Sequence, residues 1–410
     1  ADFEKGREMS SMPEFAKRLE YMERTAGVMR ALFGSMSNPE VISFGGGAPA
    51  TDALPVETIQ RIASEVLLRE KRGAEALQYG PVPGVKQLRE IIAGKLLAPE
   101  GIAADPDDIL VVNGGLETMN LICQVFIDPG DIILCEAPSF VQCVEIFEMF
   151  EAKCIGCEMD DQGLILADVE EKIRQYHPKM VYVIPTFQNP TGRTLPEDRR
   201  KKLAELGSKY DVIILEDDPY RDLCYSGEHL KPIKAYDKTG HTVMAHSFSK
   251  IFSPGCRLGY VYADRKIIEH LTDAKIATNS HTAMIPQILC AEFFARGCFD
   301  EHLRNLCALH KERRDAMMAA LEKYMPKGAK WVFPDGGLFS WVELPDGIDT
   351  TALLKEANEH GVAYVAGEGF FAGNTGRGKN CMRISFGNVT PEKIDIGMKR
   401  LGELIAFKLR

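Results

Sequence analysis

The stretch Ala245-His246-Ser247-Phe248-Ser249-Lys250-Ile251-Phe252-Ser253-Pro254-Gly255-Cys256-Arg257-Leu258-Gly259-Tyr260 carries the most informative pattern in the chain. It continues an apolar run from Thr242, which predicts a buried strand, and then offers two serines, a lysine and an arginine. A lysine amine forms a Schiff base with an aldehyde only in its uncharged form. Because the unperturbed pKa of lysine is roughly 10.4, a nearby cation or poor hydration must lower it. The stretch therefore predicts a strand end that holds a phosphate beside Lys250, with Arg257 as the nearby cation.

The composition is that of a globular protein with more than one core. The 410 residues are too many for one ordinary core and predict a large domain plus a smaller one. A net charge of −10 argues against nucleic acid or an acidic membrane as the main partner, because both bind basic surfaces. No apolar run approaches the roughly 20 residues that span a bilayer, and the N-terminus has no signal-like core. We therefore expect neither a membrane partner nor a nucleic-acid partner.

The cysteines predict a reducing compartment. There are eleven of them, an odd number, and they are scattered without a disulfide framework, which indicates reduced thiols in the cytoplasm. Cys154 and Cys157 have the spacing of a redox dithiol or of half a zinc site. No second pair follows at a suitable distance, and the surrounding residues alternate as in a strand. We expect a structural role for this pair and no metal site.

Alternating strands and helices predict a mainly parallel sheet up to Tyr220. The predicted strands are 109–112, 132–135, 180–184, 212–215 and 242–245. Ligands of such sheets bind beyond the carboxyl ends of the strands. Asn189, Asp217, Ser247 and Lys250 all lie at such ends, so the sequence predicts that these four residues meet at one edge of the sheet.

The chain after Tyr262 predicts a second, smaller α/β unit. It is mostly helical to about residue 324, and short strands near 331–344, 362–365 and 381–386 then surround a helix at 350–359. Four cations on the helical part, Arg304, Lys311, Arg313 and Arg314, predict a solvated face. We expect an N-terminal arm and helix at 1–45 that packs with the small domain, a large domain at 46–285 and a small domain at 286–410.

The motif S-x-S-K-x-x-x-P-G-x-R-x-G at 247–259 resembles the cofactor-lysine segment of pyridoxal-phosphate-dependent aminotransferases of fold type I, classes I and II. The nearest resemblance is to the branch of 2-aminoadipate and broad-specificity aminotransferases, and it runs from about residue 41 to about 388. It implies a large domain with a mainly parallel sheet flanked by helices, plus a smaller α/β domain. It also implies ping-pong transfer of an amino group from an L-amino acid to a 2-oxo acid such as 2-oxoglutarate.

The resemblance implies the catalytic roles at the cofactor ring. Lys250 would hold pyridoxal phosphate covalently and then carry the substrate proton as general base and acid. Asp217 would face the ring nitrogen, and Tyr220 and Asn189 would bond the phenolic oxygen. Phe140, in Glu136-Ala-Pro-Ser-Phe140, would stack on the ring.

The resemblance also implies the phosphate-binding set and a homodimer. The set is Ser247, Ser249, Arg257, the amides of Gly115 and Leu116, and Tyr79 of the partner subunit. The family commonly has polar side chains where Gly115 and Leu116 stand, so in this chain the contact is expected from backbone amides. A strand, two glycines and a helix N-terminus at 109–117 suit an anion in any case.

The substrate side is implied by three further elements. Arg383, in a strand with the pattern Cys-Met-Arg-Ile-Ser-Phe, would clamp the substrate α-carboxylate with Asn189. Gly46 and Gly47 would lie over that carboxylate. Arg30, on a helix predicted from residue 12 to about 36, either contacts a distal carboxylate or is a solvated helix residue.

Two other functions are compatible with this pattern. The same scaffold hosts C–S lyases and other α,β-eliminating enzymes, which need no oxo-acid acceptor. A transcriptional regulator with an aminotransferase-like domain is a more remote alternative, because no basic module precedes the motifs and the net charge is negative.

Overall fold

The computed structural model describes residues 15–22, 40–373 and 375–409. Its strands are β1 Ile42–Ser43, β2 Ile109–Val112, β3 Ile132–Glu136, β4 Lys153–Cys157, β5 Met159–Asp160, β6 Gly163–Leu164, β7 Met180–Val183, β8 Ile213–Asp217, β9 Thr242–Ser247, β10 Gly259–Tyr262, β11 Lys330–Trp331, β12 Phe339–Glu343, β13 Val362–Ala363, β14 Val365–Ala366 and β15 Cys381–Ser385. Within these ranges, no helix is both long enough and apolar enough to cross a membrane.

The helices alternate with the strands in the first half of the chain and dominate the second half. They are α1 Val56–Val66, α2 Gly73–Ala76, α3 Lys86–Ile91, α4 Gly115–Phe126, α5 Val141–Met149, α6 Leu166–Tyr176, α7 Glu197–Tyr210, α8 Arg265–Thr278, α9 Met284–Ala295, α10 Cys298–Tyr324, α11 Thr350–Glu359 and α12 Pro391–Lys408. Helix α3 continues as a wider helical turn over Ile92–Leu97.

The large sheet has seven strands in the order β2-β10-β9-β8-β7-β3-β4. The neighbours from β9 to β4 pair in parallel, and β10 runs antiparallel between β2 and β9. Strands β2 and β7 are buried along their whole length, as expected for a sheet covered by helices on both faces. The predicted fold, a mainly parallel α/β sheet with flanking helices, is confirmed.

A second sheet has four strands in the order β11-β12-β15-β14. Its pairings are antiparallel, and Arg383 of β15 lies opposite Trp341 and Val365. The long helix α10 joins the two cores, because Leu306 packs in the core of the large sheet and Met317 in that of the second. The boundaries expected at 45/46 and 285/286 stay a prediction.

The expected solvated face on α10 is wrong at two of its four positions. Arg304 and Lys311 are exposed, but Arg313 and Arg314 are buried. Arg313 donates to the carboxylate of Asp52 at 2.8 Å. The reason is that the rest of the chain packs over this side of the helix, which spacing of charges along one helix cannot reveal.

The cysteine pair of β4 is divided by the sheet. Cys154 packs against the core cluster on one face, and Cys157 lies in a separate cluster on the other. This follows from the strand geometry, since residues three apart point to opposite faces. The described part of the chain contains no group of three or more His, Cys, Asp or Glu side chains that could hold a metal ion.

Candidate active site

Three neighbouring parallel strands end at the same edge of the large sheet. Asp217 is the last residue of β8 and Ser247 the last of β9, while Asn189 follows β7 in the next loop. The register pairs Asp217, the end of β8, with Ala245, so β9 continues for two more residues to Ser247 at the same edge. Lys250 lies just beyond β9. The structure therefore brings to one edge the four residues that the strand pattern predicted there.

Lys250 has an amine with reduced basicity. Its Nζ donates a hydrogen bond to the carbonyl oxygen of Gly47 at 2.9 Å. Loss of hydration, together with the smaller effects of the positive charges on Arg257 and Arg383, lowers the pKa of the Lys250 amine to about 8. Of the two causes that the sequence left open, poor hydration is the larger, and the charge of Arg257 is the second. With this pKa, roughly a tenth of the amine is uncharged at pH 7 and about half at pH 8.

Asp217 is a buried carboxyl held by one tyrosine. The hydroxyl of Tyr182 donates to Oδ2 of Asp217 at 2.8 Å. Burial raises the pKa of Asp217 to about 7, although the hydrogen bond from Tyr182 lowers it. Sequence reasoning missed Tyr182. The signal was a hydroxyl in the middle of a buried strand, which needs a hydrogen-bond partner.

The acids on either side of Asp217 have other partners. Glu216 accepts from the backbone N–H groups of Ile233 and Lys234, at 2.7 and 2.9 Å. Asp218 lies 3.7 Å from the guanidinium of Arg221, and both side chains are buried. Consecutive side chains of a strand point to opposite faces of the sheet, so the acids on either side of Asp217 point away from it. Glu216 and Asp218 have their own partners there, and Asp217 is the acid that lies at the predicted site.

Arg383, Asn189 and Tyr220 form one hydrogen-bonded group. Nη1 of Arg383 donates to Oδ1 of Asn189 at 2.9 Å, and Nδ2 of Asn189 donates to the hydroxyl of Tyr220 at 3.3 Å. The guanidinium of Arg383 stacks on the ring of Phe339, 4.3 Å from its centroid. Burial lowers the pKa of Arg383 to about 10, so the group remains a cation near neutral pH. Its Nε is buried without a hydrogen-bond partner among the described residues.

The glycine segment runs along this group. Nη2 of Arg383 donates to the carbonyl of Gly45, and Lys250 donates to that of Gly47. Gly46 lies between these two contacts and is partly exposed. A Cβ on Gly47 would lie 3.0 Å from the Phe339 ring, so a side chain there would need that ring to move by a few tenths of an ångström.

An open, positively charged corner, called the anion corner below, lies at the start of α4 and is formed by Arg257, Ser247, Ser249, Gly115 and Leu116. Arg257 is exposed, and its Nη1 donates to Oγ of Ser249 at 3.3 Å. The backbone N–H of Ser249 donates to Oγ of Ser247 at 3.2 Å. Among the described residues, and apart from the chain neighbours and the backbone of its own helix, no atom lies within 4 Å of where a Cβ of Gly115 would stand. Free amides of the first helical turn, at Gly115 and Leu116, therefore adjoin open space, a suitable arrangement for an anion.

Three further predicted residues, Phe140, Tyr79 and Arg30, are not part of the hydrogen-bonded groups described above. Phe140 caps the start of α5 and is partly buried against the core. Tyr79 is 86% exposed, and its ring meets that of His281 edge-on at 5.7 Å between centroids. Arg30 lies outside the described residues.

The chain matches the protein-family model described as Aminotransferase class I and II over residues 39–401. It is 42% identical over 390 residues to aromatic-amino-acid aminotransferase 1 of Thermococcus litoralis, a match that covers 94% of this chain and 93% of that protein. It is 34% identical over 384 residues to the 2-aminoadipate transaminase of Thermus thermophilus, with 93% and 94% covered.

The fold has a near match among solved structures. The kynurenine aminotransferase of Pyrococcus horikoshii, in complex with PMP and with KYN and KYA as substrate and product, superposes with a TM-score of 0.91 at 40% identity. The match covers 97% of this chain and 98% of that one.

Proposed function

We propose residue roles and a substrate class for this chain, which belongs to the aminotransferase class I and II family. It is a fold type I enzyme that uses pyridoxal phosphate to move an amino group from an amino acid to a 2-oxo acid. One observation carries the proposed roles. Beyond the ends of three parallel strands, the Lys250 amine with its lowered pKa lies near the Arg383 guanidinium, which can bind a carboxylate, and near the cationic corner at Arg257.

The residues at the strand ends fit this cofactor. When bound, pyridoxal phosphate supplies an electron sink for negative charge at the substrate Cα. Lys250 would bind its aldehyde, because its amine is uncharged to a useful degree near neutral pH. Asp217, a buried carboxyl with a pKa of about 7, would be held ionised by the cationic ring nitrogen. Tyr220 and Asn189 would bond the phenolic oxygen, and Phe140 would cover the ring.

The anion corner is the proposed phosphate site. Arg257 would supply the charge, and the hydroxyls of Ser247 and Ser249 with the amides of Gly115 and Leu116 would supply hydrogen bonds. The open space beside Gly115 supports this assignment, because a phosphate can approach the helix amides without displacing a side chain.

The group around Arg383 is the proposed substrate clamp. The guanidinium is fixed by Asn189 and by the ring of Phe339, so its orientation is set before substrate binds. A two-pronged contact with the α-carboxylate would then place Cα near the amine of Lys250, beside Gly46 and Gly47. The amine, once free, would take the proton from Cα and return it to the cofactor side as general base and then acid.

We propose a multisubstrate aminotransferase with 2-oxoglutarate as acceptor and ping-pong kinetics. The support is that relatives and a structural neighbour are named for aromatic amino acids, 2-aminoadipate and kynurenine. Arg30 is the proposed contact for a distal carboxylate. If Arg30→Ala leaves KM for glutamate and 2-oxoglutarate unchanged, with aromatic substrates as before, Arg30 is a bystander.

The decisive experiment follows the visible absorption of the loaded enzyme during titration with single amino acids. We expect the cofactor band to change with each accepted amino acid and to return on addition of 2-oxoglutarate. Lys250→Ala should abolish turnover, and borohydride should tag the peptide that contains Lys250. Release of pyruvate and ammonia from one amino acid without any acceptor would instead establish an eliminating lyase.

We propose a homodimer in which Tyr79 of the partner subunit completes the phosphate site. The support is the exposure of Tyr79 and of neighbouring apolar residues such as Leu77, which is 81% exposed. Co-expression of Lys250→Ala with Tyr79→Phe tests the arrangement. A shared site gives mixed dimers with one intact site and normal cofactor affinity at half the sites, whereas a site within one chain gives none.

We also propose the division 1–45, 46–285 and 286–410 and a cytoplasmic location. Separate core clusters around the two sheets support the division. Eleven free thiols support a reducing compartment. Limited proteolysis, with cleavage near the two boundaries, and expression with a fluorescent tag are the respective tests.

A further inference from the structure

The first turn of helix α4 contains a carboxylate that faces back toward the loop before it. Oε2 of Glu117 accepts from the backbone N–H of Asn113 and from its side-chain Nδ2, the latter at 3.1 Å. Lys275 of α8 has no exposed side-chain surface, and its Nζ lies 3.0 Å from both carboxylate oxygens. Asn279 donates to Oε1 of Glu117 and accepts from Lys275 at 3.1 Å. Each of the four side chains therefore has a hydrogen-bond partner within the cluster.

These bonds fix the loop that leads into the anion corner. Asn113 is followed by Gly114, which has φ +83°, and then by the free amides at the start of α4. The carbonyl oxygen of Asn113 also accepts from Nη2 of Arg257 at 3.5 Å. Because Glu117 holds Asn113 in place, it also restrains the position of the helix amides that follow and of Arg257, which donates to the Asn113 carbonyl.

The charge on Glu117 alone would oppose a phosphate at this helix end. An acid in the first turn uses the same helix dipole and the same free amides that an anionic ligand uses. Lys275 cancels that charge from a buried position. Burial lowers the pKa of Lys275, and Glu117 opposes this shift as the paired charge, so the two groups depend on each other in the folded protein.

We propose that Lys275 is a positioning residue for the cofactor phosphate. By neutralising Glu117, and with Asn279 holding Glu117 against Asn113, it keeps the amides of Gly115 and Leu116 available to an anion. This inference rests on the proposed function of the anion corner.

The test measures binding of inorganic phosphate and of pyridoxal phosphate to the apoenzyme. Lys275→Met keeps the length of the side chain and removes its charge, and we expect about a tenfold loss of affinity for both ligands. The matched control is Lys234→Met, which removes a lysine paired with Asp237 at 2.8 Å. We expect this control to lose thermal stability and to keep both affinities.

The double variant Glu117→Gln/Lys275→Met separates charge from packing. Glutamine still accepts from Asn113 but leaves no unpaired negative charge, so we expect the affinities to return to within about threefold of wild type. If Lys275→Met is insoluble, Asn279→Ala removes one partner from an exposed position and is expected to weaken phosphate binding about threefold.

Equal affinities in Lys275→Met and wild type, or in Asn279→Ala and wild type, overturn the inference and leave the cluster a structural one. Failure of the wild-type apoenzyme to bind pyridoxal phosphate overturns the proposed function instead, so the two failures are distinguishable. A loss in Lys275→Met that the double variant does not reverse shows that charge neutralisation is not the cause.

Discussion

The carboxyl of Asp217 is buried at an energetic cost that a cationic ring nitrogen in the proposed position would remove. Its pKa in the folded chain is about 7, above the ordinary value of 3.8, because burial disfavours the charged form. The folded state therefore binds the proton more tightly than the unfolded state does. The stabilising contribution of the protonated carboxyl is complete below the unfolded pKa and is lost as the pH rises through about 7.

We predict that Asp217→Asn makes the apoenzyme more stable relative to wild type at pH 8 than at pH 5. Asparagine keeps the acceptor for Tyr182 and does not ionise. Between these two pH values the relative gain in the free energy of unfolding should be about 2–3 kcal/mol. Urea unfolding of both apoenzymes measures it, with Asp161→Asn, at a fully exposed position, as control. A pH-independent difference contradicts the prediction.

The lowered pKa of the Lys250 amine should determine how the rate of cofactor attachment to the apoenzyme depends on pH. Because its pKa is about 8 rather than the ordinary 10.5, the rate of covalent attachment should rise with pH and level off above about 8. Arg257→Gln removes a positive charge that lowers this pKa, so its midpoint should lie at higher pH. Stopped-flow absorbance from pH 6 to 10 measures both profiles. Coincident midpoints rule out Arg257 as a cause.

The turn between β2 and α4 contains two consecutive glycines that differ in whether they tolerate a side chain. Gly114 has φ +83°, and a Cβ there would collide with the guanidinium of Arg257. Gly115 begins the helix, and a Cβ there would meet no atom of the described residues within 4 Å beyond its chain neighbours and its own helix backbone. The first position therefore requires glycine, whereas the second tolerates a side chain.

The same substitution should act in opposite directions at these two positions. Gly114→Ser is expected to lower stability by about 1–3 kcal/mol, because a left-handed backbone is strained for serine, and to weaken cofactor binding. Gly115→Ser is expected to leave stability within about 0.5 kcal/mol and to strengthen cofactor binding about three- to tenfold through an added hydroxyl. Thermal unfolding and equilibrium dialysis measure the pair. Weaker binding in both variants means that the phosphate does not approach this helix end.

Arg313 connects the segments on either side of the proposed substrate clamp. From α10 it donates to Asp52 at 2.8 Å and to the carbonyl of Gly387 at 2.9 Å. Thr51 and Asn388 add two hydrogen bonds between the same segments, at 3.1 and 3.2 Å. One segment continues the glycines at 45–47 and the other follows the strand of Arg383. The relative position of clamp and glycines thus depends on a residue that touches neither.

We predict that Arg313→Met lowers the free energy of unfolding by about 1–3 kcal/mol and raises KM for every amino acid. Most of the loss should come from the buried carbonyl of Gly387, because Asp52 is 60% exposed and its charge is screened. Arg304→Met, at an exposed position of the same helix, is the control. If both variants have wild-type stability and KM, the connection through Arg313 is unimportant.

Five of the seven strands of the large sheet followed from local pattern to within two residues at each end. The predicted strand 242–245 is observed as Thr242–Ser247, and 109–112 is observed unchanged. Each is an apolar run that ends at polar or glycine residues, which is information contained in a few consecutive positions. The carboxyl ends of parallel strands meet by topology, so the grouping of Asn189, Asp217 and Lys250 followed as well.

The motif around Lys250 was informative because its chemistry is local. A purely structural role rarely requires two serines, a lysine and an arginine together at the end of a strand and in the loop after it. The family, the cofactor and the reaction type therefore followed from the sequence. Arg383 was identified by its motif, yet its stacking on Phe339 was not. The partner of a stacked guanidinium comes from a distant strand, and any of many aromatic residues satisfies the same local pattern.

Partners that lie far apart in the chain required the folded molecule. Nothing local in the sequence connects Tyr182 with Asp217, Glu117 with Lys275, or Arg313 with Asp52. A buried polar group needs some partner, but the requirement does not say which one, because many donors and acceptors meet it equally. Only the packing of strands and helices chooses among them, and that choice sets the charge and orientation of the groups at the site.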